Sequence, residues 1–112
     1  MLFLYDGFTI ITTKWLETLG YCGPGEAHDF IKQEWNDRTN RLEIDRRVLL
    51  NPHGGNLSDG ASQGAGMFRE AVLQLQDRGA PDRQIGQPST ALIASGGFFF
   101  NCGALILRAD GK

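Results

Sequence analysis

The side chains best suited to chemistry are Tyr5, Asp6 and His53. A phenol, a carboxylate and an imidazole are all groups that transfer protons to and from substrates in enzymes. Each also has an ordinary structural interpretation. Asp6 is a good N-cap for a following helix, Tyr5 fits the edge of a core, and the imidazole of His53 could bind its own loop.

His53 lies in the glycine-rich stretch NPHGGNLSDGASQGAG, residues 51–66, which precedes the helix-like run MFREAVLQLQDRG. Glycines such as Gly54, Gly55 and Gly60 let a backbone turn sharply and approach a ligand. The N-terminus of the helix would present N–H groups that suit an oxyanion or a phosphate. The stretch matches no GxxxxGK[ST] or strand-linked GxGxxG fingerprint, so a turn without a ligand remains the alternative.

The elements that must position these residues follow an α/β pattern. Residues 2–5 predict a buried strand, and an apolar face from Phe8 to Leu19 predicts a helix that ends at Gly20. Residues 21–50 predict an irregular insertion on the surface with one helical turn. Ile44, Val48 and Leu50 in it indicate either a short strand or an extended approach to the glycine-rich stretch. After the second helix, residues 89–94 and 101–108 predict two strands joined by a loop that contains Gly96 and Gly97. Tyr5 and Asp6 then lie at the carboxyl end of a strand, where α/β sheets bind ligands.

Composition limits the class of protein. The chain has 112 residues, enough for one domain, with 41% apolar and 21% charged residues, a net charge of −2 and a pI near 5.6. This balance excludes a basic nucleic-acid footprint. Cys22 and Cys102 match no metal spacing, so no metal is expected. No signal peptide or membrane-length apolar run is present, which predicts a cytoplasmic protein. A strand so close to residue 1 indicates part of a larger unit, or a sheet completed by a partner.

Five segments together resemble the last part of thiolase-superfamily proteins. They are YDGFT (5–9), LETLGYCGPGEA (16–27), NPHGGNLSDG (51–60), EAVLQLQDRG (70–79) and ALIASGG…GALILR (91–108). The similarity is closest to the thiolase-like lipid-transfer branch, which includes sterol-carrier-type thiolases and steroid side-chain aldolases. It implies that residues 1–112 form part of a thiolase-like C-terminal domain, a mixed sheet covered by helices with an irregular insertion. The N-terminal half that carries the nucleophilic cysteine of thiolases has no counterpart here.

The resemblance also assigns roles to residues. The NEAF/HDCF block corresponds to residues 5–8, the GHP loop to residues 60–62 and the CxG motif to residues 93–95. Ala61 therefore stands in place of the catalytic histidine and Ile93 in place of the acid–base cysteine, and neither transfers protons. Tyr5 matches a tyrosine of the aldolase-type relatives, which handles a proton during retro-aldol cleavage of a β-hydroxyacyl-CoA. A phenol with an ordinary pKa of about 10 needs a lowered pKa for this role, and a helix N-terminus acts in that direction.

Three functions follow from the resemblance. The first is a thiolase-like acyltransferase of acyl-CoA or lipid metabolism, the second an aldolase that uses Tyr5 on a steroid or similar CoA thioester, and the third a non-catalytic module that binds an acyl-CoA or a partner. In each, the CoA thioester is a substrate or ligand, no other cofactor is needed, and the residues expected to contact it are Gly54, Gly55, Gly60, Ser62, Gly96 and Gly97. Exposed sheet edges and the family predict a homo-oligomer or a zinc-ribbon/OB-fold partner.

Overall fold

The computed structural model describes residues 1–57, 59–60, 64–98 and 101–111, with residues 97 and 98 described for their backbone alone. In chain order the elements of these residues are β1 (Leu2–Leu4), α1 (Thr9–Thr18), α2 (Ala27–Glu34), β2 (Trp35–Asn36), β3 (Arg41–Ile44), β4 (Val48–Leu49), α3 (Ala65–Leu75), β5 (Thr90–Phe98) and β6 (Asn101–Arg108).

The main sheet has the strand order β1-β5-β6. β1 runs parallel to β5, with Leu4 opposite Ala94, and β5 pairs with β6 in antiparallel fashion. The predicted mixed α/β sheet is thereby confirmed. The predicted loop around Gly96 and Gly97 is wrong, because β5 continues to Phe98 with a register irregularity between Gly96 and Phe98. Glycine at a bulge allows a strand to bend without ending, so these glycines do not mark a turn.

Alternating side chains of the sheet form two cores. Phe3 and Ile93 pack on one face against Met67 and Ala71 of α3. Leu2 and Leu4 point to the other face, where they pack with residues of α1 and β3. Burial of a large apolar side chain stabilises the fold by about 1.5–3 kcal/mol. The fully buried β1 is therefore a central stabilising element, and the side chains that follow it are held in fixed positions.

The predicted helix after β1 is confirmed, but its predicted cap is wrong. The N-cap is Phe8, in an extended conformation with φ −142° and ψ 143°, and not Asp6. Leu19 is the C-cap, and Gly20 follows with φ +83°, as the glycine at this position predicts. Since Asp6 lies two residues before the N-cap, its carboxylate is available for a contact elsewhere.

The segment 21–50 is more regular than its sequence predicts. It contains α2, an eight-residue helix, and a small antiparallel sheet in the order β2-β3-β4. Leu42 and Ile44 of β3 are buried and alternate with Arg41 and Glu43, which are more exposed. This period of two is a strand signal, but four residues between charged neighbours carry too little of it to predict the sheet.

The helix predicted after the glycine-rich stretch is confirmed as α3. Met67, Ala71 and Leu75 are buried, whereas Phe68 is 48% exposed. Two polar residues of α3, Glu70 and Gln74, are buried as well, and the Gln74 amide Nε2 donates to the Glu70 carboxylate at 3.0 Å. The same Nε2 donates to the Arg83 carbonyl at 2.7 Å, so this buried pair ties the following loop to the helix.

The edge strand β6 exposes apolar side chains. Leu105 is 45% and Ile106 is 68% exposed, on opposite faces of the sheet. None of the described helices combines the length and the apolar character that crossing a membrane requires.

Candidate functional site

The candidate site lies where β1 ends beside the parallel strand β5, at Ala94 and Ser95. The Tyr5 N–H donates to the Ala94 carbonyl at 3.0 Å, and the Tyr5 carbonyl accepts from the Thr12 hydroxyl at 3.1 Å. Because parallel strands have their carboxyl ends at the same edge, this pairing brings Tyr5 and Asp6 beside Ser95. The sequence placed Tyr5 and Asp6 at such an edge correctly. It did not identify Ser95 as their neighbour.

The Tyr5 side chain lies over Gly7. A methyl group built on Gly7 would be 2.5 Å from Tyr5 Cζ and 2.7 Å from Cε1, and it would overlap the hydroxyl oxygen. Gly7 is not in the left-handed region of backbone conformations, so its glycine is explained by the space that the phenol ring occupies. The half-buried ring is therefore held between the core face of Phe3 and the backbone of Gly7.

Asp6 holds the glycine-rich loop against the strand end. One carboxylate oxygen, Oδ1, accepts from the Asn56 N–H at 2.8 Å. The other, Oδ2, lies against Gly55, which has φ +95° and where a methyl group would overlap that oxygen. A carboxylate with this contact has a structural task in fixing the loop across 50 residues of sequence. The predicted catalytic role of Asp6 stays a prediction.

Asn51 extends the sheet on the free edge of β1. Its backbone N–H donates to the Leu2 carbonyl at 2.9 Å. Its side-chain amide donates to the Leu4 carbonyl at 3.0 Å and accepts from the Leu4 N–H at 3.0 Å. The asparagine side chain thus replaces a neighbouring strand for fully buried Leu4, which leaves both backbone groups of that residue satisfied. Sequence reasoning missed this residue.

His53 faces the core. Its ring packs against Phe3, with centroids 5.4 Å apart and planes inclined by 50°. Both ring nitrogens are buried and have no hydrogen-bond partner among the described residues. Burial lowers the pKa of His53 most, Arg83 lowers it further, and the carboxylates of Asp59, Glu70 and Asp6 oppose the shift.

A buried imidazole of this kind is neutral near pH 7. With both nitrogens covered, it does not reach a substrate unless the loop moves. The arrangement therefore favours a structural role for His53 over the predicted role of a base.

The predicted ligand-contacting glycines differ in their surroundings. The Gly54 N–H donates to the Asn51 carbonyl at 2.9 Å, so the turn itself uses it. Gly60 is exposed, with φ +83° and open space around it. Ser62, like Ala61, lies outside the described residues, so its expected contact stays a prediction.

The N-terminus of α3 faces an acidic side chain. Gly64 is the N-cap, with φ +87°, and the Asp59 carboxylate lies so close to Gly66 in the first turn that a methyl group there would overlap it. A carboxylate at a helix N-terminus is favourable, but it repels a phosphate at the same place. This arrangement weighs against the anion site that the sequence predicts at this helix.

Near the end of β5, backbone conformation and a close contact explain the glycine at position 96. Gly96 has φ +85°, a methyl group on it would overlap the Asn101 carbonyl oxygen, and its own carbonyl accepts from the Trp15 indole N–H at 3.0 Å. The backbone therefore requires glycine at 96 regardless of a ligand, and the predicted ligand contacts of Gly96 and Gly97 stay predictions. Ile93 is 6% exposed within the core, so its side chain does not reach the sheet edge.

Ser95 places a polar side chain on the α3 face of β5, next to the end of β1. It follows Ile93 by two residues on the same face, and its hydroxyl would lie 3.1 Å from a methyl group built on Gly64. Because side chains alternate between the two faces of a strand, counting along β5 from its apolar residues could have identified Ser95. A phenol and a hydroxyl at one strand end can exchange a proton with a substrate and donate a hydrogen bond to it.

The site opens on a shallow depression. It measures about 470 Å³ and is lined by Ser95, Gly96, Asn101, Cys102 and Gly103. A larger cavity of about 630 Å³ lies at the other end of the sheet, between Met1, Arg47, Ile85 and Thr90, away from these side chains. In the described part of the chain, no group of three or more histidine, cysteine or acidic side chains is arranged to hold a metal ion.

The two cysteines are both free thiols, with Cys22 partly buried and Cys102 exposed. Burial raises the pKa of the Cys22 thiol, and the carboxylates of Glu17 and Glu26 raise it further. A raised pKa leaves less of the reactive thiolate near pH 7, so Cys22 fits a structural side chain. Cys102 is exposed on β6 opposite Gly96.

Three comparisons with known proteins show what this chain is similar to. The chain is 38% identical over 107 residues to a steroid side-chain-cleaving aldolase of Thermomonospora curvata, which covers 96% of this chain and 25% of the relative. It is 37% identical over 93 residues to a 17-hydroxy-3-oxo-4-pregnene-20-carboxyl-CoA lyase of Mycobacterium tuberculosis, covering 83% of this chain and 22% of that protein. The chain thus spans about a quarter of the length of the curated relatives it matches.

A solved structure, described as an Ltp2-ChsH2(DUF35) aldolase, superposes with a TM-score of 0.77 and 33% sequence identity. The superposition covers 99% of this chain and 27% of that one. The family described as thiolase C-terminal domain-like matches residues 1–109, nearly the whole sequence. The chain therefore belongs to the thiolase C-terminal domain-like family, as its motifs predict.

Proposed function

We propose that this chain supplies the acid–base part of the active site of an aldolase-type carbon–carbon lyase that acts on a β-hydroxyacyl-CoA. The observation that carries the proposal is the position of Tyr5, whose phenol lies over Gly7 at the carboxyl end of β1, beside the parallel strand β5. Two relatives named for aldolase or lyase activity support it, and one of those names specifies a steroid CoA thioester.

The proposed reaction is a retro-aldol cleavage. The Tyr5 oxygen, deprotonated at the start of the step, takes the proton of the substrate's β-hydroxyl. The bond between the α and β carbons breaks, the β carbon becomes a ketone or aldehyde, and the electron pair forms the enolate of the remaining acyl-CoA. Return of this proton from Tyr5 to the α carbon completes the reaction and restores the starting form of Tyr5, with no oxidant or reductant consumed.

The surroundings of Ile93 support this reaction over thiolysis. Ile93 is packed with Phe3, Met67 and Ala71 in the core, and an aliphatic side chain does not exchange protons. The position that the resemblance equates with the acid–base cysteine of thiolases therefore contributes packing. A retro-aldol step needs no such group at that place, since the phenol handles the hydroxyl proton.

The proposal includes further polypeptide. The chain covers about a quarter of each curated relative, and β6 exposes Ile106 at a sheet edge, on the face opposite to Leu105. Exposed apolar side chains and an unpaired strand edge favour association with another chain or domain. We propose that Tyr5 acts within such an assembly, either a homo-oligomer or a complex with a zinc-ribbon/OB-fold protein. The chain corresponds in this proposal to part of a thiolase-like C-terminal domain.

The experiment measures cleavage with the protein purified together with its associated subunits. The substrate is 17-hydroxy-3-oxo-4-pregnene-20-carboxyl-CoA, and ketone release is followed by mass spectrometry. Tyr5→Phe should lower kcat by about 10²-fold or more, which is typical for loss of a general acid or base. Tyr21→Phe is the matched control, because Tyr21 packs against Phe30 in the other core. Equal rates for wild type and Tyr5→Phe would remove Tyr5 from the mechanism.

A further inference from the structure

Gly103 lies directly opposite Ser95 in the antiparallel pair β5–β6. Directly opposed residues of such a pair project their side chains to the same face of the sheet. Ser95 is on the face of α3, next to Gly64 and Met67, and Tyr5 packs on that same face. A side chain at 103 would therefore enter the space beside Ser95, two strands away from Tyr5, or about 10 Å at the usual strand spacing.

The fold does not require glycine at this position. A methyl group built on Gly103 meets no atom within 4 Å, and its backbone is outside the left-handed region. Gly96 is the contrasting case in the same hairpin, because its φ of +85° and the Asn101 carbonyl exclude a side chain. Glycine inside a strand weakens it by about 0.5–1 kcal/mol relative to alanine. A glycine inside a strand without a backbone reason of its own can mark a place where a ligand or another backbone approaches closely.

The space left by Gly103 is the open depression of about 470 Å³ that also contains Ser95. Two residues further along the same face, outside the lining of the depression, is Leu105, which is 45% exposed and adds an apolar side chain beside it. The surface suits the apolar part of an acyl group, whereas the cleaved bond would lie nearer to Tyr5.

We infer that Gly103 is a specificity-determining position, where the missing side chain makes room for the bulky apolar part of the thioester beside Ser95. The inference rests on the proposed function, since it names which part of that substrate lies over β6. Adding a side chain at 103 fills the depression without reaching Tyr5, so it discriminates against bulky acyl groups.

The test compares Gly103→Val with Ala104→Val in the protein with its associated subunits. Ala104 is an exposed neighbour on β6 that pairs with Ala94, so its side chain projects to the opposite face. Equilibrium binding and cleavage are measured for two thioesters, the bulky 17-hydroxy-3-oxo-4-pregnene-20-carboxyl-CoA and the small 3-hydroxybutyryl-CoA. Gly103→Ala serves as a second, milder variant if Gly103→Val does not fold.

Gly103→Val should raise Kd and KM for the bulky thioester by about tenfold or more, since even one methylene in a pocket changes discrimination by about that factor. Both constants for the small thioester, and all constants of Ala104→Val, should stay near wild type. Unchanged binding of the bulky thioester, or an equal loss for both thioesters, would overturn the inference while leaving the proposed function intact. A wild-type protein that binds and cleaves neither thioester would overturn both.

Discussion

Gly7→Ala should lower kcat/KM by displacing the Tyr5 ring, while the phenol group itself stays unchanged. The added methyl group would lie 2.5 Å from Tyr5 Cζ and 2.7 Å from Cε1. Because carbon atoms in good contact are about 3.5–4.0 Å apart, the ring has to retreat by about 1 Å. A displacement of about 1 Å in an active site can lower kcat/KM by about 10²-fold, equivalent to about 2.7 kcal/mol in transition-state free energy.

The folded state should tolerate this substitution. Gly7 is outside the left-handed region, so alanine there gains about 0.4–1 kcal/mol from the reduced entropy of the unfolded chain. Moving the Tyr5 ring off its rotamer costs about 0.5–1.5 kcal/mol, so the free energy of unfolding should change by less than about 1 kcal/mol. Activity and stability are therefore expected to separate in this variant.

The assay is release of ketone from the β-hydroxyacyl-CoA, combined with urea unfolding. The double variant Gly7→Ala/Tyr5→Phe provides the control. If Gly7→Ala acts through the phenol, the double variant should be no slower than Tyr5→Phe alone, because the two changes are coupled. The reasoning would be refuted by a Gly7→Ala protein with wild-type kcat/KM, or by losses that simply multiply in the double variant.

Two further predictions concern stability. Asn51→Ala should lower the free energy of unfolding by about 3 kcal/mol, since it leaves the buried N–H and C=O of Leu4 unpaired at about 1–3 kcal/mol each. Asn40 has a positive φ, as Asn51 does, but lies on the surface. Asn40→Ala should therefore lower the free energy of unfolding by only about 1 kcal/mol. Similar losses for the two variants in urea unfolding would contradict the role assigned to Asn51. Burial holds the pKa of His53 below its usual value of 6.5, so the unfolded chain takes up a proton before the folded one does. The stability that neutral His53 contributes is therefore present above pH 6.5 and is lost as the pH falls through the lower folded-state pKa. The urea midpoint of the wild type should fall over this pH range. His53→Gln should make that fall smaller, whereas His28→Gln, a change at an exposed histidine, should leave it as it is.

Short-range sequence patterns predicted the helices and strands whose formation depends mainly on neighbouring residues. The apolar run of β1, the helical face of α1 with its closing Gly20, and the start of the last strand at Asn101 all follow from short-range periodicity. The small sheet of β2, β3 and β4 was missed because its two-residue and four-residue strands lie among charged side chains. Tertiary packing, which periodicity does not report, decides whether such short strands form.

The site was predictable in place but not in its contacts. The end of β1 identified Tyr5 and Asp6, since the carboxyl ends of strands bind ligands in α/β sheets. The bond from Asn56 to the Asp6 carboxylate joins residues 50 positions apart, and the register of Gly103 against Ser95 depends on how β5 and β6 pair. Neither is encoded in a local pattern, so the contact that holds Asp6 was not predicted and Ser95 was overlooked.

The most direct test of the central claim is a crystal structure with a non-cleavable substrate analogue. A β-hydroxyacyl-CoA analogue with a thioether in place of the thioester cannot form the enolate and should stay intact. We predict that its β-hydroxyl oxygen lies about 2.6–3.2 Å from Tyr5 Oη, the distance that proton transfer requires, with the acyl group beside Ser95. An analogue seated instead in the cavity between Met1, Arg47 and Ile85, with its hydroxyl away from Tyr5, would contradict the account.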